Sequence, residues 1–167
     1  FNRSHDWYHH HEWADLIFTH LDFAGDVAKD CRQSKKPSVW FAHNTFTYTS
    51  VRSNRQMNVV YNSHWNSWFC KYENNGFTLP CPVDIDYYKV VPGDKIGLIN
   101  LNRNKGAELF YQISERMPHK QFIGIQGSYG DQVYKQLPNV TLLANQIDIR
   151  NAYKHIGILL IPSKYES

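Results

Sequence analysis

Short apolar runs alternate along the chain with longer segments in which apolar residues recur every three or four positions. The runs predict strands, and the longer segments predict helices. Strands are expected at 14–19, 38–43, 58–62, 95–100, 121–126, 140–144 and 156–162, and helices at 23–36, 64–72, 107–117, 131–137 and 148–155. Because strands that alternate with helices form parallel sheets with right-handed crossovers, the pattern predicts an α/β fold.

Two of the predicted helices have a distinct apolar face. In helix 64–72, which Ser63 is expected to cap, the aromatic residues recur at helical spacing and are expected to pack in the core, with ligand stacking as the alternative. They are Trp65, Trp68, Phe69 and Tyr72. In helix 107–117 the residues on one face are Leu109, Phe110, Ile113 and Met117. We expect that face to be buried.

A segment without periodicity, 79–94, divides the chain. It reads "LPCPVDIDYYKVVPGD", with three prolines and a Gly-Asp turn, so it predicts a linker and no helix. We therefore expect two incomplete α/β units, over 1–82 and 83–167. "TFTYTSVRSNRQ" at 45–56 has no apolar stripe and predicts a loop.

Composition narrows the function classes. The 167 residues are 42% hydrophobic, and the formal net charge of +3 comes from basic residues that are scattered except at Lys35 and Lys36. Without a basic stripe, nucleic acid is not an expected partner. No apolar segment reaches the ~20 residues that span a bilayer, so a soluble chain is expected, with peripheral contact to a membrane left open. Three cysteines without pairing or metal-ligand spacing predict free thiols and a cytoplasmic location.

Loops after the strands of the second unit carry the candidate chemistry. After the strand that ends at Asn100, Arg103 and Lys105 stand beside Gly106 at the start of a helix, where free backbone amides, the helix dipole and two cations would bind a phosphate or diphosphate. Solvated basic side chains at a helix start are the open alternative. Gly127 would allow a ligand close to the backbone. Glu166, which follows a strand, could accept hydrogen bonds from hydroxyl groups or lie at the surface.

Histidines stand out in the first unit. His20 follows a predicted strand and His43 ends one, and both suit acid/base chemistry, hydrogen bonding to a substrate, or the satisfaction of backbone groups. A further cluster consists of His5, His9, His10, His11 and Glu12. Three adjacent histidines do not all face one ion, so this cluster is expected at the surface and no metal site is predicted.

Taken in order, these segments resemble the retaining GT-B glycosyltransferases of the group that includes glycogen synthase and bacterial mannosyltransferases. "ADLIFTHLD", "SVWFAHNT" and "VVYNSHW" are similar to three strand motifs of the first domain of that group. "LPCPVDIDYY" resembles its linker, "IGLINLNRNKGAELF" its Gly-Arg-x-x-x-x-Lys-Gly segment, and "FIGIQGSYGD" its glycine loop. "NVTLLANQID" and "AYKHIGILLIPSKYES" resemble the stretch that leads to its acidic motif.

The resemblance implies two Rossmann-like GT-B units, an acceptor-side unit first and a nucleotide-sugar unit second. It implies transfer of a sugar from a nucleotide diphosphate donor to a carbohydrate, lipid or protein acceptor, with retention and without a cofactor or metal. Lys105 would contact the diphosphate and Glu166 the sugar, with His20 near the sugar and acceptor. Gly127 would admit the donor, and the backbone at 144–146, around Asn145, would line the base pocket.

The chain departs from this group in ways that leave other functions open. Asn100 stands where the group has arginine, so Arg103 would have to supply that charge. The resemblance also implies that the chain stops inside the acidic motif, so that it is a fragment, inactive by itself. A non-catalytic nucleotide-binding or sugar-binding module and a nucleotide-sugar epimerase are the alternatives.

Overall fold

The structure, a computed structural model, describes residues 13–21, 24–44, 58–70 and 76–163. The chain forms two compact units that divide between Pro82 and Val83. Among the described residues, no helix combines the length and the apolar character that crossing a membrane requires.

The first unit contains a four-stranded parallel sheet. Its strands are β1 (Ile17–His20), β2 (Ser38–Ala42), β3 (Asn58–Tyr61) and β4 (Gly76–Thr78), in the order β1-β2-β3-β4. Its helices are α1 (Ala24–Ser34) and α2 (His64–Cys70). Along β1, Ile17 and Thr19 are buried whereas Phe18 and His20 are exposed, which is the two-residue period of a strand.

Helix α1 forms because its small apolar residues fall on one face. Ala24, Val27, Ala28 and Cys31 are all buried. The helix ends where Lys35 takes a positive φ of 57° before Pro37, which cannot continue a helix. Ala24 and Ala28 join Trp40 of β2 in the core of this unit, together with Ala42, Val59, Tyr61 and Cys70.

The second unit has a second parallel sheet with a different strand order. Its strands are β5 (Lys95–Ile99), β6 (Phe122–Ile125), β7 (Val140–Leu143) and β8 (Ile156–Leu159), in the order β7-β6-β5-β8. Its helices are α3 (Ile85–Tyr88), α4 (Ala107–Arg116) and α5 (Arg150–Tyr153), with a 3-10 turn at Arg103–Lys105. From β5 the chain winds to β6 and β7, then crosses back to place β8 on the other side of β5. The winding direction therefore reverses between β5 and β8.

Both faces of this sheet are packed, as a parallel sheet requires. On one face Phe110 of α4 meets Phe122 of β6 with ring centroids 5.7 Å apart, beside Leu98 and Leu101. On the other face Ile123, Ile125, Ala152 and Ile156 form a separate cluster. All four residues of β6 are buried, as expected for an interior strand of the sheet.

All seven predicted strands are found, but the helix predictions need correction in three places. The expected helix 131–137 is absent: this segment is extended, with the Val133 amide donating to the Leu101 carbonyl at 2.7 Å. Its apolar residues Val133 and Leu137 pack onto the core from an extended chain, so their four-residue spacing was misleading. Conversely, the proline-rich linker contains the one-turn helix α3, because the Asp84 side chain accepts from the Tyr87 amide at 3.1 Å.

The third correction concerns the aromatic face of α2. Trp65, Trp68 and Phe69 are 37%, 67% and 49% exposed, so the expected packing is wrong for them, and Tyr72 lies outside the described residues. The buried face of α2 is formed by Asn66 and Cys70.

Polar contacts explain this orientation of α2. The Asn66 side-chain amide donates to the Ala42 carbonyl at 2.7 Å, and the Cys70 thiol donates to the Asn66 Oδ1 at 3.2 Å. Ser63 accepts from the Asn66 amide through its Oγ at 3.1 Å, which confirms the expected cap.

Two smaller differences remain. Strand β4 was not predicted, since its three residues begin with a glycine and lack a clear apolar run. In α4 the buried face is shifted by one position: Tyr111 is buried, whereas Leu109 is 46% exposed. The predicted loop at 45–56 lies outside the described residues.

Candidate functional site

A crevice of about 500 Å³ lies in the second unit where its strands end. Residues at the carboxyl ends of β5, β6 and β8 line it, including Ile99, Ile125 and Leu159. In an open parallel sheet, loops diverge where the winding direction reverses, and ligands bind there. The crevice therefore occupies the place that the strand order β7-β6-β5-β8 marks for a ligand. Its size falls within the roughly 300–1,000 Å³ of small-molecule sites.

Lys105 lines this crevice from the turn that joins β5 to α4. Asn102 shapes that turn: its Oδ1 accepts from the Lys105 amide at 2.9 Å, and its carbonyl accepts from the Ala107 amide at 3.2 Å. The Gly106 amide donates to the Arg103 carbonyl at 3.1 Å. The expected free backbone amides are therefore not found at positions 105–107. The Lys105 side chain and the positive end of the α4 dipole are what the turn offers an anion.

Gly106 brings the segment after β8 against the start of α4. It has a φ of +86°, which favours glycine, and a Cβ at this position would lie 2.5 Å from Cγ of Pro162. The adjacent Ser163 lines the crevice. Gly106 thus serves both to connect the 3-10 turn to α4 and to hold the end of β8 near Lys105.

Asn100 and Gly127 form the wall of the crevice between β5 and β6. Asn100 is buried and has a φ of 70°, and a Cβ at Gly127 would lie only 2.1 Å from the Asn100 Oδ1. Gly127 is therefore required for the fit of the Asn100 side chain. Both residues line the crevice.

Gln132 holds these two residues together, and sequence reasoning missed it. Its Oε1 accepts from the Gly127 amide at 2.8 Å, and its Nε2 donates to the Asn100 Oδ1 at 3.0 Å. Because 131–137 was expected to be a helix, Gln132 had no predicted place near the ends of the strands. Only the extended path of this segment brings it there.

Asn145 and Gln146 line the crevice beyond the end of β7. The Asn145 Nδ2 donates to the Gln126 carbonyl at 3.2 Å, and the Gln146 Nε2 donates to the Ala144 carbonyl at 2.8 Å. Ile149 and Tyr153 complete this end of the crevice. This end of the crevice thus combines two side-chain amides with the apolar side chain of Ile149.

An ion pair fixes the chain just before α5. Arg150 donates to both carboxylate oxygens of Asp148, and its guanidinium lies 4.4 Å from the ring centroid of Tyr87 in α3. The hydrogen bonds from Arg150 lower the pKa of Asp148, because they favour its charged form. The contact between Arg150 and Tyr87 joins the segment 79–94 to α5.

The other expected site residues lie elsewhere. Arg103 does not line the crevice and pairs with Glu108, Nε to Oε1, at 3.3 Å, where both side chains are largely exposed. His20 is in the first unit, exposed at the end of β1, with its ring centroid 5.6 Å from that of His43. Glu166 and the cluster at 5–12 lie outside the described residues. Within the described part of the chain, no three His, Cys, Asp or Glu side chains are arranged to hold a metal ion.

Comparison with known proteins bears on the fold. No protein-family model matches the chain, and no curated protein matches it. Among solved structures, it is similar to UGT89C1 of Arabidopsis thaliana complexed with UDP, with a TM-score of 0.51 and 11% identity over 87% of this chain and 47% of that one. The chain thus spans about half the length of that protein. With its two parallel sheets, this likeness shows an α/β fold with Rossmann-like units of the GT-B type.

Proposed function

We propose that this protein transfers a sugar from a nucleotide diphosphate donor to an acceptor, with retention of anomeric configuration. The observation that carries the proposal is the crevice where the winding of the second sheet reverses, with Lys105 beside the start of α4. A structural neighbour of the same fold is complexed with UDP, which supports a nucleotide as the ligand.

The shape of the crevice suits the parts of such a donor. The diphosphate would lie at Lys105, where a point charge and a helix dipole act together. Gly127 would border the donor with its backbone, since the Asn100 side chain fills the space that a Cβ would take. The base would lie at the end formed by Asn145 and Gln146, with Ile149 providing apolar contact.

The chemistry would depend on the leaving group. The acceptor hydroxyl forms its bond to the anomeric carbon on the same face from which the diphosphate departs, through an oxocarbenium-like species, and its proton leaves with the diphosphate. Lys105 would stabilise the charge that develops on that diphosphate; one preorganised contact of this kind is worth roughly 2–4 kcal/mol. As the resemblance implies, Glu166 would bind sugar hydroxyls and His20 would lie near the sugar and acceptor. A metal ion has no part in the proposal.

A specific observation favours a second candidate, a module that binds a nucleotide sugar without transferring it. Among the described residues that line the crevice, Lys105 alone is cationic, since Asn100 carries no charge and Arg103 pairs with Glu108. Stabilisation of a departing diphosphate is then weaker than with two cations. Binding needs less charge stabilisation than bond cleavage does, so this arrangement also fits a binder.

A transfer assay with the full-length protein separates the two candidates. UDP-, GDP- and ADP-sugars are supplied with carbohydrate, lipid and protein acceptors, and release of nucleoside diphosphate is measured. Acceptor-dependent release, with a product whose anomeric configuration by NMR matches the donor, supports the transferase. Donor binding by calorimetry without release supports the binding module, and the absence of both contradicts the proposal.

Glu166→Gln provides a second comparison. We expect it to lower turnover by about tenfold or more, because the amide cannot replace the carboxylate at the sugar hydroxyls. The affinity for nucleoside diphosphate alone should stay within about twofold, since that ligand has no sugar at this position. Equal losses of turnover and nucleotide affinity would show that Glu166 has a different role.

A further inference from the structure

The Gln132 side chain makes four hydrogen-bond contacts beside the crevice. Besides its bonds to Gly127 and Asn100, its Nε2 lies 2.9 Å from the Tyr129 carbonyl oxygen and 3.0 Å from that of Gly130. Its backbone forms an antiparallel bridge with Asn102, next to the turn that bears Lys105. One side chain therefore connects the loop after β6 with the end of β5.

The chemistry of these contacts requires a side-chain amide. The Gly127 amide donates to Oε1, and the Asn100 Oδ1 and two loop carbonyls share the two hydrogens of Nε2; a side-chain amide offers both an acceptor and donors. A carboxylate would place negative charge against three acceptor oxygens. An aliphatic side chain would fill the space and satisfy none of these groups.

The contacts also determine the shape of the crevice wall. The loop at 127–130 begins with Gly127, whose α-carbon faces the Asn100 side chain so closely that a Cβ would collide with it. Asn100 is held by Gln132, and the loop is held by the same side chain. If the Gln132 side chain is replaced, Asn100 and the loop at 127–130 are still present, but they lose the side chain that connects them.

We propose that Gln132 is a positioning residue that preorganises the Gly127 loop and Asn100 for the nucleotide diphosphate. The identity of the ligand rests on the proposed function, whereas the effect of Gln132 on the loop rests on the hydrogen bonds alone. Gln132 does not line the crevice, so it acts through its partners. A preorganised wall increases affinity because less ordering is needed on binding.

The test compares Gln132→Met, which keeps the length of the side chain and removes its hydrogen bonds, with Gln136→Met on the exposed side of the same segment. In the full 167-residue chain, the Gly127 amide is followed by NMR for its proton shift and exchange rate. UDP, GDP and ADP are titrated into wild type and both variants. Thermal unfolding is measured in parallel.

In Gln132→Met we expect the Gly127 amide to exchange about tenfold faster and its proton to shift upfield, because its acceptor is gone. The affinity for the nucleotide that wild type binds should fall about three- to tenfold, as the loss of one or two hydrogen bonds implies. In Gln136→Met all of these quantities should match wild type.

Each result has a distinct meaning. Unchanged exchange at Gly127 in Gln132→Met would overturn the inference, whether or not a nucleotide binds. Faster exchange with wild-type nucleotide affinity would overturn it too, since Gln132 would then be structural only. If wild type binds none of the three nucleotides, the proposed function fails, and the exchange data still decide whether Gln132 holds the loop.

Discussion

At the scale of single residues, position in the turn decides which cation lies at the crevice. Arg103 lies two positions earlier, but it pairs with Glu108 and does not line the crevice. The tight turn that Asn102 caps separates the two side chains. Which cation of such a loop reaches the site therefore depends on the geometry of the turn, which the sequence alone does not give.

Lys105→Ala should weaken the binding of nucleoside diphosphate by about 10- to 100-fold, because the diphosphate loses its point charge. The fold should survive, since Lys105 is only partly buried. Lys120→Ala, at an exposed site of the same unit, is the matched control and should bind as wild type does. Calorimetry with UDP, GDP and ADP measures the effect, and equal affinities in both variants would place the phosphates elsewhere.

The cysteines differ in their exposure and should differ in reactivity. Burial raises the pKa of the Cys70 thiol to about 11, and burial also raises the pKa of Cys31, whereas Cys81 is exposed. At pH 8 a disulfide reagent should therefore modify one thiol quickly in the native chain and all three in denaturant. Cys81→Ser should abolish the fast reaction. Fast reaction of two or three thiols in the native chain would contradict the burial of Cys31 in α1 and Cys70 in α2.

The raised pKa of Cys70 makes the free energy of unfolding depend on pH. The folded-state pKa of Cys70 lies above the ordinary value of 9.0, so the folded state holds this proton more tightly than the unfolded state. The contribution to stability is complete below about pH 9 and is lost as pH rises toward about pH 11. Cys70→Ala should flatten the fall in unfolding free energy over that range, as denaturant titrations at several pH values would reveal.

At the scale of elements, the junction between the 3-10 turn and α4 determines where the site lies. Gly106 has a left-handed conformation, and Pro162 from the segment after β8 packs directly against it. These two features bring the ends of β5 and β8 together at Lys105. The junction therefore affects both the packing of the second unit and the position of Lys105 at the crevice.

Gly106→Ala should destabilise the second unit by about 1–3 kcal/mol, because the added methyl group meets Pro162 and the left-handed conformation is strained for alanine. Asn104→Ala, exposed in the same turn, should change stability by less than about 0.5 kcal/mol. Hydrogen exchange in 95–99 and 122–125 reports on the second unit in both variants. Equal protection from hydrogen exchange in the two variants would mean that the turn accommodates the added methyl group without loss of stability.

Periodicity predicted seven of the eight strands in the described residues, because each of these seven is a short apolar run. It predicted the helices less well where polar groups set the orientation. Asn66 turns α2 so that its tryptophans face outward, and Val133 and Leu137 reach the core from an extended segment. Hydrogen bonds between distant segments, such as that from Asn66 to Ala42, leave no local pattern in the sequence.

At the scale of the whole molecule, each unit has its own parallel sheet, and the order of the second one defines the site. Lys105 and Gly127 were expected from loops after strands, and Asn100 and Asn145 from the resemblance; all four line one crevice. Their meeting follows from the shared edge of parallel strands, which sequence can predict. The connection of Asn100 to Gly127 through Gln132 depends on a path of the chain that was not predicted. The roles of His20 and Glu166 remain predictions that rest on the resemblance.

The central claim is that the crevice in the second unit binds a nucleoside diphosphate, and hydrogen exchange with and without ligand tests it directly. With a saturating concentration of the nucleotide that binds, amides in 98–105, 125–129, 145–153 and 159–163 should exchange more slowly. Those in 38–42 and 58–61 of the first unit should be unchanged. Protection confined to the first unit, or no protection with UDP, GDP or ADP, would contradict the account.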